Sequence, residues 1–423
     1  MIHADSTRSL VVDLRDDAGR GALFRVAGLS VLLRNLLLFQ RRGFRCALLL
    51  CEDQRRRQVL DELRRCPRVT IATIVGPDVD LREAAAESDG LLYWPGALTY
   101  GRFLPGFVDA GVEQDSVLEL ATGAGCDGPL LAGAVALAQA PTGPSRDQLA
   151  WLKTRARTVA PEPGKEALNV LAPSDARQAE RALLHSLRKN ADGAVAKYDR
   201  YISLAVSRWL MRLPIVPNHV TAAAGVLGVL CGLAAAQGGY WWMLAGAVGF
   251  QLNSIFDGID GEIARAKLLE SRAGQWLDTI SDDFTNFSFV VGVGVGCFRT
   301  YGWPGYLVLG IVAGLGQIVT SSLQYHYLVT VAGTGDLNDF KLPWEEHSAA
   351  QRPAEQRRGV LARVDWILRR DAFVAFSTLA AILGQLRWMT WAYALGATAV
   401  WSSILAYRAL RLVSNGRERG IGS

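Results

Sequence analysis

Residues 257–282 read DGIDGEIARAKLLESRAGQWLDTISD and lie between two strongly apolar segments. If both flanks are helical, Asp257 and Asp260 share one helix face, and so do Asp278 and Asp282, because side chains three or four residues apart lie together. An antiparallel pair of helices could then direct four carboxylates into one cavity. The natural compensation for four close anions is one or two Mg²⁺ or Mn²⁺ ions, which favour oxygen ligands.

The plainer alternative is that these acids lie at helix ends and meet Lys267 and Arg272 in water. The spacing of the four acids on shared helix faces favours a site instead. If the apolar flanks cross a membrane, carboxylates at its boundary are costly and are usually functional. Arg265 adds a cation suited to a phosphate. Three small residues would let a bulky ligand approach the backbone: Gly261, Ala264 and Gly274.

The charge of the chain is unevenly distributed. Of 423 residues, 50% are apolar and 20% are charged, and most of the charge lies in the first 190 residues. Six almost uncharged segments follow residue 216, namely 220–237, 238–256, 284–298, 301–331, 372–386 and 388–407. With their polar turns they approach the roughly 20 residues that cross a bilayer, and Trp and Tyr lie at their ends. We therefore expect an all-α polytopic membrane domain with six transmembrane helices rather than buried helices of a soluble protein.

Basic residues predict how this domain is oriented. The short connections near residues 238, 300 and 387 carry only Arg299 and Arg387, whereas the opposite side receives a basic loop at 332–370 and a basic tail. The positive-inside rule then places both termini and the acidic run on the cytoplasmic side. Residues 192–213 mix apolar and basic side chains, which is typical of a juxtamembrane amphipathic helix lying on anionic lipid.

The acidic run resembles the signature of the CDP-alcohol phosphotransferase family, DxxDG-xx-AR followed by GxxxDxxxD. Every signature position is present, with eight residues between its two halves: Asp257, Asp260, Gly261, Ala264, Arg265, Gly274, Asp278 and Asp282. The resemblance implies a homodimer with a cytoplasmic cavity and a reaction that depends on a divalent metal. In that reaction a CDP-linked donor gives its phospho-alcohol group to an acceptor hydroxyl, and CMP leaves.

The resemblance also implies a role for each signature residue. The metal ligands would be Asp257, Asp260 and Asp278, with Asp282 as general base and further metal ligand. The cytidine-diphosphate pocket would consist of Gly261, Ala264, Arg265 and Gly274. Asn218 and Thr221 resemble the PNxxT stretch that often opens the first span, so Asn218 would line the pocket; helix capping explains both residues equally well.

The first 160 residues alternate β-rich runs (10–14, 46–51, 69–75 and 90–94) with helical stretches at 30–40 and 54–65. This alternation predicts a soluble α/β domain with a mainly parallel sheet. The order resembles the nucleotidyltransferase part of bifunctional enzymes that fuse an inositol-phosphate cytidylyltransferase to a membrane phosphotransferase. However, residues 13–21 keep only Gly19 and Gly21 of a phosphate-binding loop, and the strand near residue 94 lacks the family's metal-binding Asp. We therefore expect a degenerate domain that scaffolds or regulates the membrane half.

These observations predict four regions: a cytoplasmic nucleotidyltransferase-like domain (1–180), a linker with the amphipathic helix (181–216), the membrane domain (217–412) and a cytoplasmic tail (413–423). The expected function is a membrane CDP-alcohol phosphotransferase of phospholipid or polar head-group biosynthesis. Its expected partners are membrane lipid, a CDP-linked donor and a hydroxyl acceptor such as inositol phosphate or another polyol phosphate, with no nucleic acid. The alternatives are a non-enzymatic metal-binding membrane protein, and a bifunctional enzyme that also makes the CDP donor from CTP.

Overall fold

The computed structural model describes residues 8–86, 88–100, 104–110, 112–122, 127–162, 167–187, 194–335, 337 and 370–420. The chain divides into two compact units. The first, the α/β unit, comprises Met1–Arg188, Met211–Leu213 and Arg265–Leu268. The second, the helical unit, comprises Lys189–Leu210, Pro214–Ala264 and Leu269–Ser423. Most of the basic loop predicted at 332–370 lies outside the described residues.

The α/β unit is built on a seven-stranded sheet. Its strands are β1 (Arg8–Asp13), β4 (Ala47–Leu50), β5 (Ala72–Gly76), β6 (Gly90–Pro95), β8 (Val117–Leu120), β9 (Leu130–Gly133) and β10 (Arg157–Val159). They lie in the order β10-β8-β9-β6-β1-β4-β5. Four of the six neighbouring pairs are parallel, and β9 is antiparallel to both β6 and β8. The sheet is therefore mixed, and the predicted α/β architecture is confirmed.

Short strands and seven helices complete this unit. Two hairpin strands are β2 (Arg25–Val26) and β3 (Leu29–Ser30), and a second small sheet pairs β7 (Leu98–Thr99) with β11 (Leu168–Asn169). The helices are α1 (Asp16–Ala22), α2 (Val31–Arg41), α3 (Asp53–Arg64), α4 (Leu81–Ala84), α5 (Ala134–Ala138), α6 (Ser145–Arg155) and α7 (Pro173–Ser186).

The central strand β1 explains why helices cover both faces of the sheet. Leu10 and Val12 belong to one buried apolar cluster, whereas Val11 belongs to another. Alternate side chains of a strand point to opposite faces, so an unbroken apolar run needs cover on both sides. Helix α2 supplies part of this cover, and its residues from Val31 to Phe39 are all buried.

The helical unit contains all six predicted apolar segments as helices. They are α9 (Pro217–Ala236), α10 (Tyr240–Ala266), α11 (Arg272–Tyr301), α12 (Gly305–Tyr327), α13 (Arg370–Ile382) and α14 (Leu386–Gly420), preceded by α8 (Ala194–Leu210). Among the described residues, two helical stretches are long and apolar enough to cross a membrane, Pro217–Ala236 and Gly305–Ala332. Helices α10 and α11 carry the acidic run within their length, which lowers their apolar character, and six spans stay a prediction.

Helices α9 and α11 run side by side in the same direction. Gly225, Gly228 and Gly232 of α9 lie against Ser281, Thr285 and Ser288 of α11 in turn. A Cβ at Gly292 would overlap the carbonyl oxygen of Gly232, so the two backbones touch, as small residues allow between packed helices. This register brings the start of α9 beside the part of α11 that carries Asp278 and Asp282.

Candidate active site

Three carboxylates meet between α10 and α11. Asp257 comes from α10, and Asp278 and Asp282 come from successive turns of α11. One ligand oxygen of each lies within 4.8 Å of the others, and all three side chains are half-buried. We call this group the aspartate trio. The acids lie in the body of two long helices, because α10 continues to Ala266 and α11 begins at Arg272.

The donor chemistry of the trio fits a divalent metal. Every ligand atom is a carboxylate oxygen, the type that Mg²⁺ and Mn²⁺ prefer. It is the one group of at least three close His, Cys, Asp or Glu ligands in the described part of the chain. Partial burial strengthens the mutual repulsion of the carboxylates, and a bound cation would relieve it.

Asp260 lies outside the trio and turns towards α9. It is 5% exposed, and its Oδ2 accepts a hydrogen bond from Thr221 Oγ1 while its Oδ1 accepts the backbone N–H of Gly261. The same Thr221 hydroxyl lies 3.3 Å from the carbonyl oxygen of Pro217, so its single hydrogen is shared between the two acceptors. Because Asp260 is three residues beyond Asp257, its side chain is rotated by about 60° around the helix, which explains its different partner.

The start of α9 bears on the capping interpretation of the PNxxT stretch, while the pocket role of Asn218 stays a prediction. Val216 is the N-cap residue, Pro217 begins the helix, and no side chain caps the end. Capping by Asn218 or Thr221 is therefore not observed. Thr221 instead binds a signature aspartate, a role that sequence reasoning missed because the two residues are 39 positions apart.

Gly274 and Asn218 lie together near the start of α11. A Cβ at Gly274 would stand 3.4 Å from Asn218 Oδ1 and 3.0 Å from Ser271 Oγ. Ser271 caps α11 by accepting the Gly274 N–H at 3.0 Å. A glycine here therefore lets the α11 backbone lie close to an exposed amide and to the Ser271 cap.

The remaining signature residues lie in the last turns of α10. Gly261 and Ala264 are half-buried there. Arg265 follows directly and is counted with the α/β unit. Their predicted part in a nucleotide pocket stays a prediction.

Two neighbouring acids have other partners, which agrees with their omission from the predicted site. Asp283 accepts hydrogen bonds from Gln317 at 3.0 Å and from the hydroxyl of Tyr325, both on α12. Glu262 is fully buried and accepts hydrogen bonds from α8. Neither partnership has a local sequence signal, because each joins residues more than 30 positions apart.

In the α/β unit, the end of β1 is where a nucleotide would be expected, since ligands of such sheets bind beyond the carboxyl ends of the strands. There the Arg15 guanidinium donates to Asp13 Oδ2 at 2.6 Å and to Oδ1 at 2.9 Å, and Tyr93 OH donates to Oδ2 at 2.9 Å. Burial alone would raise the pKa of Asp13, but Arg15 and Tyr93 outweigh it and hold that pKa below its ordinary value.

The loop predicted as a remnant phosphate cradle is helical. Gly19 and Gly21 lie within α1, whose first turn carries Asp16 and Asp17. A Cβ at Gly19 would overlap the Leu14 carbonyl oxygen, so this glycine serves helix packing. Acidic side chains at a helix N-terminus occupy the end that would otherwise attract a phosphate.

Comparison with known families identifies the region around the trio. Residues 214–336 match the family model described as CDP-alcohol phosphatidyltransferase. The match includes the aspartate trio, Thr221 and Gly274. The C-terminal region therefore carries a CDP-alcohol phosphatidyltransferase domain, and the resemblance predicted from the acidic run is confirmed.

Curated relatives share one name, "Bifunctional IPC transferase and DIPP synthase". The chain is 33% identical over 155 residues to the protein of Thermococcus kodakarensis, covering 36% of this chain and 34% of that one. It is 31% identical over 125 residues to the Aquifex aeolicus protein, covering 29% and 28%. The values for Archaeoglobus fulgidus are 36% over 129 residues, covering 30% and 25%. The chain thus spans about a third or less of the length of these relatives.

Proposed function

We propose that this protein is an integral membrane CDP-alcohol phosphotransferase. The observation that carries the proposal is the aspartate trio, formed by three signature residues inside the segment that matches the family. A transporter or scaffold could also bind metal through three acids. The additional contact between Asp260 and Thr221, and the close approach of Gly274 to Asn218, favour a substrate site with several defined parts.

The reaction follows from the charges and oxygen atoms at this site. The acceptor hydroxyl oxygen bonds to the phosphorus that carries the donor alcohol, and the bond from that phosphorus to the bridging oxygen of the diphosphate breaks. CMP leaves with the bridging oxygen, and Asp282 takes the acceptor's proton as general base. One or two Mg²⁺ or Mn²⁺ ions held by Asp257, Asp278 and Asp282 would neutralise the diphosphate and the leaving group. Asp260, whose oxygens accept from Thr221 and Gly261, is proposed as a further ligand beside the trio.

The other signature residues bind the cytidine-diphosphate part of the donor. Because Gly261, Ala264 and Gly274 have small side chains or none, the donor can approach the protein backbone at these positions. The guanidinium of Arg265 suits the phosphates of the donor. Asn218, whose amide oxygen lies beside Gly274, supplies a hydrogen-bonding group at the same place. These assignments predict that enlarging Gly274 weakens donor binding without abolishing metal binding.

For this protein we propose six membrane spans, a homodimeric assembly, cytoplasmic termini and an active site on the cytoplasmic side. Support comes from two apolar helices of membrane-spanning length and from basic residues on one side of the segments. Exposed aromatic residues on α8, such as Tyr198, Tyr201 and Trp209, suit a helix at the membrane surface.

The α/β unit is proposed to be a non-catalytic, nucleotidyltransferase-like domain. Side chains of the unit itself bind one another at the end of β1, where Arg15 also donates to Ser145 Oγ at 2.8 Å. Ser145 in turn donates to Asp78 at 2.5 Å. The CDP donor would then come from a separate enzyme. Of the candidate substrates, a CDP-linked polyol with inositol phosphate as acceptor agrees with the domain order.

The test is CMP release by the purified chain in lipid nanodiscs, with Mg²⁺ or Mn²⁺ and a panel of CDP-alcohols that includes CDP-inositol and CDP-diacylglycerol. We expect turnover with at least one donor and its loss in Asp282→Asn. Asp283→Asn is the matched control, because Gln317 can reverse its amide and keep its hydrogen bond. Failure of every donor, or full turnover by Asp282→Asn, would refute the proposed function.

The same preparation tests the α/β unit. With CTP and a polyol phosphate but no CDP-alcohol, we expect no pyrophosphate. CTP-dependent pyrophosphate release would instead support the bifunctional alternative.

A further inference from the structure

Glu262 is a buried acid inside the signature that the proposed reaction does not use. It lies between Gly261 and Ala264 on α10 and is 0% exposed. A buried carboxylate is costly unless hydrogen bonds or opposite charge compensate it. Its partners therefore indicate what it holds in place.

The polar partners of Glu262 in the described part of the chain lie on α8. Ser203 Oγ donates to Oε1 at 2.7 Å, Ser207 Oγ donates to Oε2 at 2.5 Å, and Arg200 Nη1 lies 3.3 Å from Oε1. Both serines are buried, and they are one helical turn apart on the same face of α8. The two carboxylate oxygens thus bind two successive turns of one helix.

A second contact joins the same helices further along. Gln251 Nε2 donates to the carboxylate of Asp199 at 3.2 Å and 3.3 Å. Gln251 and Glu262 are 11 residues apart, or about 16 Å along a helix axis. Asp257 and Asp260 lie between them in the sequence, so α8 is bonded to α10 on both sides of the segment that carries these acids.

The outward face of α8 has a different character. Tyr198, Tyr201 and Trp209 are 76%, 62% and 63% exposed, whereas Ser203 and Ser207 are 2% and 0% exposed. One face therefore suits a membrane surface, and the other is polar and committed to α10.

We infer that Glu262 is a positioning residue. By binding Ser203, Ser207 and Arg200, it fixes the rotation and axial position of the α10 segment that places Asp257 beside Asp278 and Asp282. The interfacial helix thereby acts as a support for the metal-binding acids in addition to lying on lipid. The effect of Glu262 on metal binding is independent of the proposed function. Only the effect on CMP release rests on that proposed function. Groups that orient metal ligands typically change metal affinity or activity 10- to 100-fold when removed.

The experiment measures Mn²⁺ binding to the full chain in nanodiscs by electron paramagnetic resonance, without substrate, beside the kcat and KM of CMP release. We expect Glu262→Ala to weaken Mn²⁺ binding about 10- to 100-fold, and to lower kcat more than it changes KM. The double variant Ser203→Ala/Ser207→Ala, altered only on α8, should show the same direction of change. Glu262→Gln keeps an acceptor and a donor for the two hydroxyls, and should retain Mn²⁺ affinity within about threefold, since polar partners are still paired.

Val293→Ala is the control for a general loss of stability. Val293 is fully buried on α11, 11 residues beyond Asp282, and its truncation should lower the unfolding midpoint but leave Mn²⁺ affinity unchanged. Parent-like Mn²⁺ binding by Glu262→Ala would overturn the inference, as would an equal loss of affinity in Val293→Ala. If the parent binds Mn²⁺ but releases no CMP, the proposed function fails, while the variants still decide the role of Glu262.

Discussion

Replacing Asp278 by asparagine should stabilise the metal-free protein, whereas most substitutions lower the stability of a protein. The trio's ligand oxygens lie within 4.8 Å of one another. Two unit charges at that distance repel by about 0.9 kcal/mol in water and by about 3.5 kcal/mol at an effective dielectric of about 20. A neutral amide in place of the Asp278 carboxylate would remove two of the three repulsive pairs, for a relief of about 2–7 kcal/mol. Since the side chains are half-buried and partly solvated, we expect the lower end, about 2 kcal/mol.

Metal should reverse this order. A ligand present at 100 times its dissociation constant stabilises the folded state by about 2.7 kcal/mol. The parent should gain that stabilisation from Mn²⁺, and Asp278→Asn should gain much less because it has lost a charged ligand. In the parent, Asp283 accepts hydrogen bonds from Gln317 and Tyr325 and is not part of the trio. The variant Asp283→Asn should therefore respond to Mn²⁺ like the parent.

The assay is thermal unfolding of the full chain in nanodiscs, followed by tryptophan fluorescence, first with chelator and then across a Mn²⁺ titration. The reasoning predicts that the unfolding curves of parent and Asp278→Asn exchange order as Mn²⁺ is added. A variant that unfolds below the parent in chelator, or that gains as much from Mn²⁺, would refute the trio as a metal site.

Three further predictions test other contacts. Thr221→Val removes the hydroxyl that donates to Oδ2 of the buried Asp260, so we expect a loss of about 1–3 kcal/mol in stability and reduced CMP release, measured by unfolding and turnover. Gly274→Leu puts a bulky side chain against Asn218 and should raise KM for the CDP donor at least about tenfold, a loss of about 1.4 kcal/mol, while Mn²⁺ affinity measured without donor stays unchanged. For Asp13, whose pKa is held low mainly by the arginine two residues later, the ionised form stabilises the fold above its ordinary pKa of about 3.9 and loses that effect as pH falls further. The difference in unfolding midpoint between parent and Asp13→Asn should therefore be largest near neutral pH and shrink below about pH 4.

The parts of this molecule that follow from local periodicity could be predicted from the sequence. Asp278 and Asp282 are four residues apart and share a face on any helix, so their convergence needs only a helix pair. The alternation of apolar runs likewise predicts the α/β unit, because β1 and α2 are apolar enough to require burial on the sheet.

What the sequence could not supply were partners set by helix packing. Asp260 and Thr221 are 39 positions apart, and Glu262 and Ser207 are 55 apart. Their meeting depends on the register of α9, α8 and α10, which no local pattern encodes. Gly19 and Gly21 are a further case: the sequence keeps this glycine pair without a convincing phosphate loop, and only the structure shows that the pair serves the packing of α1.

The most direct test of the central claim follows the acceptor oxygen. The purified chain is given Mn²⁺, a CDP-linked polyol and a polyol phosphate whose attacking hydroxyl carries ¹⁸O, and the products are analysed by mass spectrometry. Group transfer by the aspartate site predicts that the ¹⁸O enters the new phosphodiester, that CMP forms in equal amount without label, and that Asp282→Asn forms neither product. Unlabelled phosphodiester, or CMP released without formation of a phosphodiester, would contradict the account.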